Sequence, residues 1–483
     1  MALTFSSTLK PRLTAVATAV ALALATADVM AQSASLTPPR VETITVTAKS
    51  APVLDVDNAD VGGFNTPLAK TPQSVTVLGA DLLASSATQS LSSVLKLDAS
   101  LADAYNTTGY IESLSVRGFL LDQAGNFRRN GLAISNYAPI ALENKERIEV
   151  LKGVAGMQSG VSAPGGLVNY VTKTPLREAF TTATVATDQR GSAEVHVDSN
   201  LARGSFGARL NVAVERMHSQ FDRADGDRQF ASLTLAGQLS AQTALSADIE
   251  YHRKRQPSVP GLGLLDRDGD GVGDTLPTPV NPRLNLNNQP WSQPFQATVT
   301  TAEVALKHRF NGDWAARVAA NVQTSRINDR LAFPDGCSNA PTYVYPGLCA
   351  NGDVDVYDFR SEGEKRKVTS WDAHIDGRFH AVSARHSTRF GLSGRTIRND
   401  LPPLQAYNYV GSSNIFAPVV LPADAALTVL NTNSRERAVE GYASLQSDWG
   451  AQLQSFVGVR VARLHRASER NDGSPAVAYE QTV

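Results

Sequence analysis

Phe206-Gly207-Ala208-Arg209-Leu210-Asn211-Val212-Ala213-Val214-Glu215 decides the fold. Phe206, Ala208, Leu210, Val212 and Val214 alternate with Gly207, Arg209, Asn211, Ala213 and Glu215, and a period of two belongs to a β-strand with one apolar and one polar face. The texture recurs on both sides. Leu245, Ala247, Ile249 and Tyr251 alternate with Ser246, Asp248, Glu250 and His252; Trp371, Ala373, Ile375 and Phe379 with Asp372, His374, Asp376 and Arg378. About eleven such segments lie near 180–187, 192–198, 206–216, 229–239, 244–252, 302–310, 314–324, 366–379, 387–397, 437–449 and 453–464. Short links alternate with long ones, at 253–301, 325–365 and 398–436, and Trp314, Trp371 and Trp449 sit near segment ends. Short turns on one side, long loops on the other, aromatic girdles and a polar lumen describe a transmembrane antiparallel β-barrel. A soluble all-β domain also alternates; the long loops and the Arg, Glu, Asp and His on the polar face favour the barrel.

Composition agrees. The chain has 483 residues, with 45 basic and 46 acidic side chains and a net charge of -1. That balance excludes a polybasic nucleic-acid binder and an acidic disordered chain. Mean hydropathy is -0.18, and beyond the N-terminus no apolar run approaches the roughly 20 residues that a spanning helix needs. Barrel strands escape that test, because alternation makes them hydrophilic on average. Two cysteines exclude a disulfide scaffold and a Cys-rich zinc module. GxSxG, HExxH and P-loop motifs are absent and the eight histidines do not cluster, so no enzyme is indicated and no cofactor is expected.

Residues 1–31 read as a secretory signal peptide. Lys10 and Arg12 form the basic region, Leu13 to Ala27 the apolar stretch, and Val29-Met30-Ala31 precedes the expected cut at Gln32. An uncleaved anchor is the alternative. Residues 32–65 read as a flexible arm, interrupted by Glu42-Thr43-Ile44-Thr45-Val46-Thr47-Ala48, whose alternating β-formers suit addition to a partner's sheet edge. Residues 66–178 read as a compact α/β domain, with strands at Gln73–Leu78, Leu114–Phe119, Glu146–Gly153 and after Pro164-Gly165, and short helices from Asp81 and Ser90.

Several motifs in that domain occur together: Lys70–Val77 (KTPQSVTV), Ser90–Leu95 (SLSSVL), Leu114–Phe119 (LSVRGF), Arg129–Leu132 (RNGL), Leu142–Gly153 (LENKERIEVLKG) and Ala163–Pro175 (APGGLVNYVTKTP). In them the sequence resembles the TonB-dependent outer-membrane receptors, most closely the siderophore receptors. The match spans the whole plug of that family; the barrel half matches by pattern, with Gly441–Gln446 similar to a recurrent strand. There are departures: Gly153–Gly160 lacks the family's Pro and Tyr, and Asp98-Ala99 stands where the family has Pro-Gly.

The resemblance implies an outer-membrane protein of a Gram-negative bacterium: a monomer in lipid, with an α/β plug at 66–178 inside a barrel of about 22 strands. Glu42–Ala48 falls at the TonB box, so the implied partners are TonB with its inner-membrane energising complex and a ferric siderophore, which is the transported ligand. Another ligand (haem, cobalamin, an oligosaccharide) is the alternative. Plug Arg117 and Arg147 are expected to ion-pair with the barrel. Ligand is expected at the plug apex, on loop residues Phe127, Arg128, Arg129, Asn136 and Tyr137, with Trp291, Tyr343, Tyr345, Tyr407 and Tyr409 as loop aromatics. Only ten residues separate Ala31 from Val41, so no signalling domain is expected. Eleven segments in 179–483 are half of the expected strands, which reads as the N-terminal half of a barrel with roughly 250 residues missing, a fragment whose own transport is in question.

Two loop features complete the reading. Asp266, Asp268, Asp270 and Asp274 have calcium-loop spacing, but Pro277 holds the position of the bidentate glutamate, so a solvated loop is the stronger expectation. Cys337 and Cys349, 12 apart in one loop, are expected to form a disulfide in an oxidising envelope.

Overall fold

The computed structural model describes residues 71–85, 97–105, 107–450 and 453–483, with Leu68, Ser90, Leu91 and Ser93. The expected signal peptide (1–31), arm (32–65) and TonB-box segment (Glu42–Ala48) lie outside the described residues.

The first domain contains β1 (Val75–Gly79), α1 (Ala80–Ser85), β2 (Leu101–Tyr105), β3 (Ser113–Val116), β4 (Phe119–Leu120), β5 (Phe127–Arg129), β6 (Leu132–Ala133), β7 (Lys145–Lys152), α2 (Gly156–Ser159) and β8 (Gly166–Thr172). A five-stranded sheet has the order β1-β7-β8-β5-β6, and β2-β3-β4 form a smaller one. Only the β5–β8 pairing in the larger sheet is parallel. Phe127, Ile148, Val150, Val168 and Tyr170 make the core beneath it. The strand expected over Leu114–Phe119 is broken. Arg117 and Gly118 both take positive φ, which a two-residue hairpin turn demands, so the chain reverses from β3 into β4. Asn130-Gly131 does the same between β5 and β6. Asp98 has its own role: Thr76 donates to it at 2.5 Å, Ser100 at 2.7 Å, and Lys152 pairs with it, tying the β1 and β7 strands to the connection before β2. These partners hold the Asp98 carboxyl well below its ordinary range, against the opposing effect of burial.

The second domain is a meander. Its strands are β9 (Phe180–Thr187), β10 (Ala193–Arg203), β11 (Phe206–Met217), β12 (Gly226–Gln238), β13 (Thr243–Gln256), β15 (Gln293–Arg309), β16 (Trp314–Pro334), β18 (Asp353–Ala381), β19 (Ala384–Asp400), β22 (Thr432–Asp448), β23 (Gln454–Arg470) and β24 (Val477–Thr482). Each pairs antiparallel with the next, from β9 at one edge to β24 at the other; β20 (Leu404–Asn414) and β21 (Val429–Leu430) extend the sheet beside β18 to 14 strands. A two-stranded parallel pair, β14 (Leu265–Asp266) with β17 (Leu348–Cys349), joins the two long loops.

The two faces of this sheet settle its solvent. Val185, Ile249, Val318, Val457, Val459 and Val461 are more than half exposed on one face, while Asn200, Asn211, Glu215, Ser232, Asp248 and Asn321 are buried on the other. A soluble sheet would bury the valines. An apolar exterior around a polar interior belongs to a barrel in lipid, and the domain is a partial transmembrane barrel. All eleven segments read from sequence fall on strands, and β24 is one more. The stretches 325–365 and 398–436 are corrected from loops to mainly strand: β16 runs to Pro334, β18 begins at Asp353, and β20 lies wholly within the second. β18 has 29 residues, far more than the 9–11 or so that cross a bilayer. Its upper half needs no lipid-facing alternation, so the sequence signal fades there.

Candidate functional site

The plug is held to the barrel wall by buried charge. The Asn130-Gly131 turn carries Arg129 to the inner surface of β13 and β15. There its guanidinium meets Glu303 at 2.8 Å, Glu250 at 3.4 Å and Asp248. Burial opposes the charge, but the three carboxylates outweigh it and raise the Arg129 pKa. Lys145, also buried, meets Glu250 at 2.8 Å; burial still dominates and lowers its pKa. Plug Glu143 joins barrel Arg228, whose guanidinium also meets Glu215 at 2.7 Å. Lys173 shares Asp198 with Arg209. All these partners lie on β10 to β15.

On the opposite side Arg460 clasps α2. Arg460 of β23 donates to the Met157 and Gln158 carbonyls of α2, each at 3.0 Å, and pairs with Glu440 at 2.5 Å. Gly160, at φ +74°, passes so near Glu440 that a Cβ would sit 1.9 Å from its Oε2. Gly160→Ala is expected to displace Glu440 from Arg460 and cost about 1–3 kcal/mol from the clash and the left-handed backbone, read as a lower thermal midpoint in detergent.

The sequence-based apex residues are corrected by this geometry. Phe127, Arg128 and Arg129 form strand β5 rather than a loop, and all three are buried, as is Asn136. Arg128 donates to the Gly125 and Phe127 carbonyls at 2.8 and 2.9 Å. Asn136 donates to Glu112 and Gln123, inside the plug. Tyr137 lies against the barrel, with the Arg366 guanidinium 4.0 Å over its ring. The other expected ion pairs differ too. Arg147 pairs with Glu149, its neighbour on β7, at 2.8 Å. Arg117 is exposed on its turn and makes no ion pair among the described residues. Lys145 and Glu143 also pair with the barrel, which sequence reasoning missed; Glu250 and Asp248, two apart on one strand face, were the available signal.

Above the plug the site is aromatic. On β16 the odd-numbered positions face inward: Asn321 donates to the plug carbonyl of Ala133 and Gln323 accepts from the Ser135 amide. Leu331 and Phe333 continue that face. Across the register Leu331 opposes Phe359 and Phe359 opposes Tyr407; Phe333 opposes Tyr357 and Tyr357 opposes Tyr409. Opposed residues share a face, so five rings form a ladder on the inner wall. Tyr357 and Tyr407 stack at 4.6 Å, Phe333 and Tyr407 lie 6.1 Å apart, and the Tyr407 hydroxyl donates to Asp335 at 2.5 Å. Tyr407 and Tyr409 are thus brought together with three rings that sequence reasoning missed. Tyr343 and Tyr345 stack on each other at 6.4 Å, and Trp291 donates to the Leu421 carbonyl at 3.1 Å.

Lower down, a cavity of about 630 Å³ opens between the β5–β6 hairpin and the barrel. In the long loops Cys337 and Cys349 form a disulfide. Asp266, Asp268 and Asp270 bring carboxylate oxygens within 4.8 Å of one another, with Asp266 accepting the Gly269 and Gly271 amides. The Asp274 amide donates to Leu265, closing the same loop.

Fold and site define a plugged transmembrane barrel. The profile of the TonB-dependent Receptor Plug Domain family matches residues 67–167. Over 264 residues the chain is 29% identical to the metal-pseudopaline receptor of Pseudomonas aeruginosa, covering 53% of this chain and 34% of that one. Over 495 residues it is 24% identical to the ferrichrome outer membrane transporter/phage receptor of Escherichia coli K12, covering 94% and 64%. Among solved structures, the closed form of the ferric-catecholate import receptor of E. coli K12 superposes with a TM-score of 0.76 at 16% identity, over 89% of this chain and 65% of that one. The siderophore receptor PiuA from Acinetobacter baumannii gives 0.76 at 16%, over 89% and 63%. The chain therefore spans 34% to 64% of these two curated relatives. Residues 67–167 thus match the plug domain of TonB-dependent receptors, and the plugged partial barrel has the fold of the siderophore receptors it is similar to.

Proposed function

We propose that this receptor takes ferric siderophores across the outer membrane of a Gram-negative bacterium, with energy delivered by TonB, and that it is not an enzyme. The observation that carries the reading is the aromatic ladder on the inner wall above the plug. Flat, amphipathic rings suit a compact chelate with planar metal-binding groups. The outer membrane holds no ATP supply or usable ion gradient, so uptake against a gradient needs work from the inner membrane. Relatives named for ferrichrome, metal–pseudopaline and ferric catecholates support the chemical class.

The test is growth rescue and radiolabelled iron uptake from a panel of ferric chelates, in a strain lacking its own receptors. The panel includes a metal–pseudopaline chelate, and rescue by none of its members would overturn the reading. Tyr407→Ala is expected to weaken chelate binding by about tenfold, since one aromatic contact contributes roughly 0.5–1.5 kcal/mol beyond its buried area. Tryptophan-fluorescence titration of the purified chain reads this, and unchanged affinity would remove the ladder from the site.

A further inference from the structure

The cavity below the β5–β6 hairpin is unevenly charged. Arg128, Arg317, Arg395 and Arg460 line it with Glu440, and Glu436 lies behind Arg395. Arg395 is 6% exposed and spends Nε and Nη2 on Glu436, at 2.9 and 2.7 Å; its Nη1 is buried without a hydrogen-bond partner. Arg317 reaches only the Asn130 carbonyl, at 3.4 Å, among the described residues. Arg128 donates to the Gly125 and Phe127 carbonyls. Burial lowers its pKa to about 9, with Arg395 and Arg460 adding to the fall and Glu440 and Glu436 opposing it. Of the other charges in the cavity, Arg389 pairs with Asp376 at 2.6 Å, His374 with Asp372 at 2.5 Å, and Asp248 and Glu303 share Arg129, while Lys307 and Arg309 line it with no ion pair among the described residues. Arg395 and Arg460 thus draw on two carboxylates, Glu436 and Glu440, and Glu436 is also held by Arg466, while the Arg395 Nη1 keeps no acceptor. A buried donor without an acceptor is unfavourable, and an anionic oxygen in the cavity would satisfy it.

We propose that this cavity is an anion-binding station on the inner side of the plug, taking carboxylate, hydroxamate or catecholate oxygens of the imported chelate as it passes between the β5–β6 hairpin and β16 to β23. The assignment of the chelate rests on the proposed uptake function. The cavity runs beneath the β5–β6 hairpin from β13 and β15, where ion pairs hold the plug, round to Arg395 and Arg460 on β19 and β23. Inorganic phosphate offers the same chemistry, and the experiment separates the two.

Ser393 lines the cavity on the same strand face as Arg395. Because both native cysteines are in a disulfide, Ser393→Cys supplies a single free thiol in the full chain, folded in detergent. Its modification by a sulfonate-bearing thiol reagent is expected to be about tenfold faster than by a trimethylammonium one, through electrostatic focusing. Arg395→Gln in that background should cut the ratio at least about threefold, with Arg317→Gln as a second variant should the first fail to fold. Ferric citrate should slow the anionic reagent at lower concentration than phosphate does. Equal rates for the two reagents, or no protection by either anion, would overturn the station. Protection by phosphate alone would overturn the chelate as its occupant. Failure of growth rescue with protection intact would strike the uptake reading and leave the anion station standing.

Discussion

Replacing Arg129 with alanine is expected to loosen the plug from the barrel wall while the barrel stays folded. The guanidinium is the shared partner of Asp248, Glu250 and Glu303 on two barrel strands. Removing it leaves Glu250 with Lys145 and the Asn144 amide, Asp248 with the Thr234 hydroxyl, and Glu303 with the Asn130 amide. Two of three buried carboxylates then lack a cation, and breaking a buried pair by deleting one partner costs about 3–5 kcal/mol. At about 1.4 kcal/mol per decade, the plug-open population rises by roughly two to three and a half orders of magnitude. Trypsin should cut inside residues 67–167 far faster in Arg129→Ala. The heat-dependent shift of the barrel on a gel should persist, because no strand pairing of β9 to β24 depends on Arg129. Arg129→Lys keeps the charge but loses the fork that reaches two strands at once, and should fall between. Unchanged trypsin cleavage in Arg129→Ala would show that shape, not charge, holds the plug.

The barrel was legible because its signal is local. Each strand crossing lipid must show alternate residues to two solvents, and Phe206–Glu215 carries that requirement within ten positions. Where lipid ends, the requirement ends: Asp353-Val354-Asp355-Val356 alternates only briefly, a register shift at Val356/Tyr357 changes its phase, and Asp353–Ser361 still pairs with both β16 and β20. That is why Tyr357 and Phe359 were passed over as loop while forming the middle rungs of the ladder. Val477–Thr482 was passed over for a related reason, since its residues are exposed throughout and it pairs only with β23. The plug motifs located the domain but not its charge partners. Arg129 and Asp248 are 119 positions apart, and only the strand register brings them together. Arg117 looked equivalent until its positive φ placed it on a turn. A motif gives a residue's type and neighbours; whether that residue faces a wall, a core or water is set by the turn next to it.

The second large effect concerns the segment Glu42–Ala48, on the proposed reading that TonB takes it as an added strand. Strand addition is held by main-chain hydrogen bonds, and side chains such as Thr43, Thr45 and Thr47 supply only register and solubility. Successive amides of an extended strand point to opposite edges, so of two neighbouring positions one faces the partner. Proline removes the amide donor and cannot occupy a paired strand site. Thr45→Pro and Val46→Pro, made separately, are therefore expected to differ: one abolishes iron uptake and the other reduces it far less. Both should bind chelate with unchanged affinity, because the ladder of Phe333, Tyr357, Phe359, Tyr407 and Tyr409 lies on barrel strands. Thr45→Ala and Val46→Ala retain the amide and should transport nearly normally. Full uptake by both proline variants would remove Glu42–Ala48 as the point where TonB pulls. Loss of binding alongside uptake would instead place the defect in the receptor's folding.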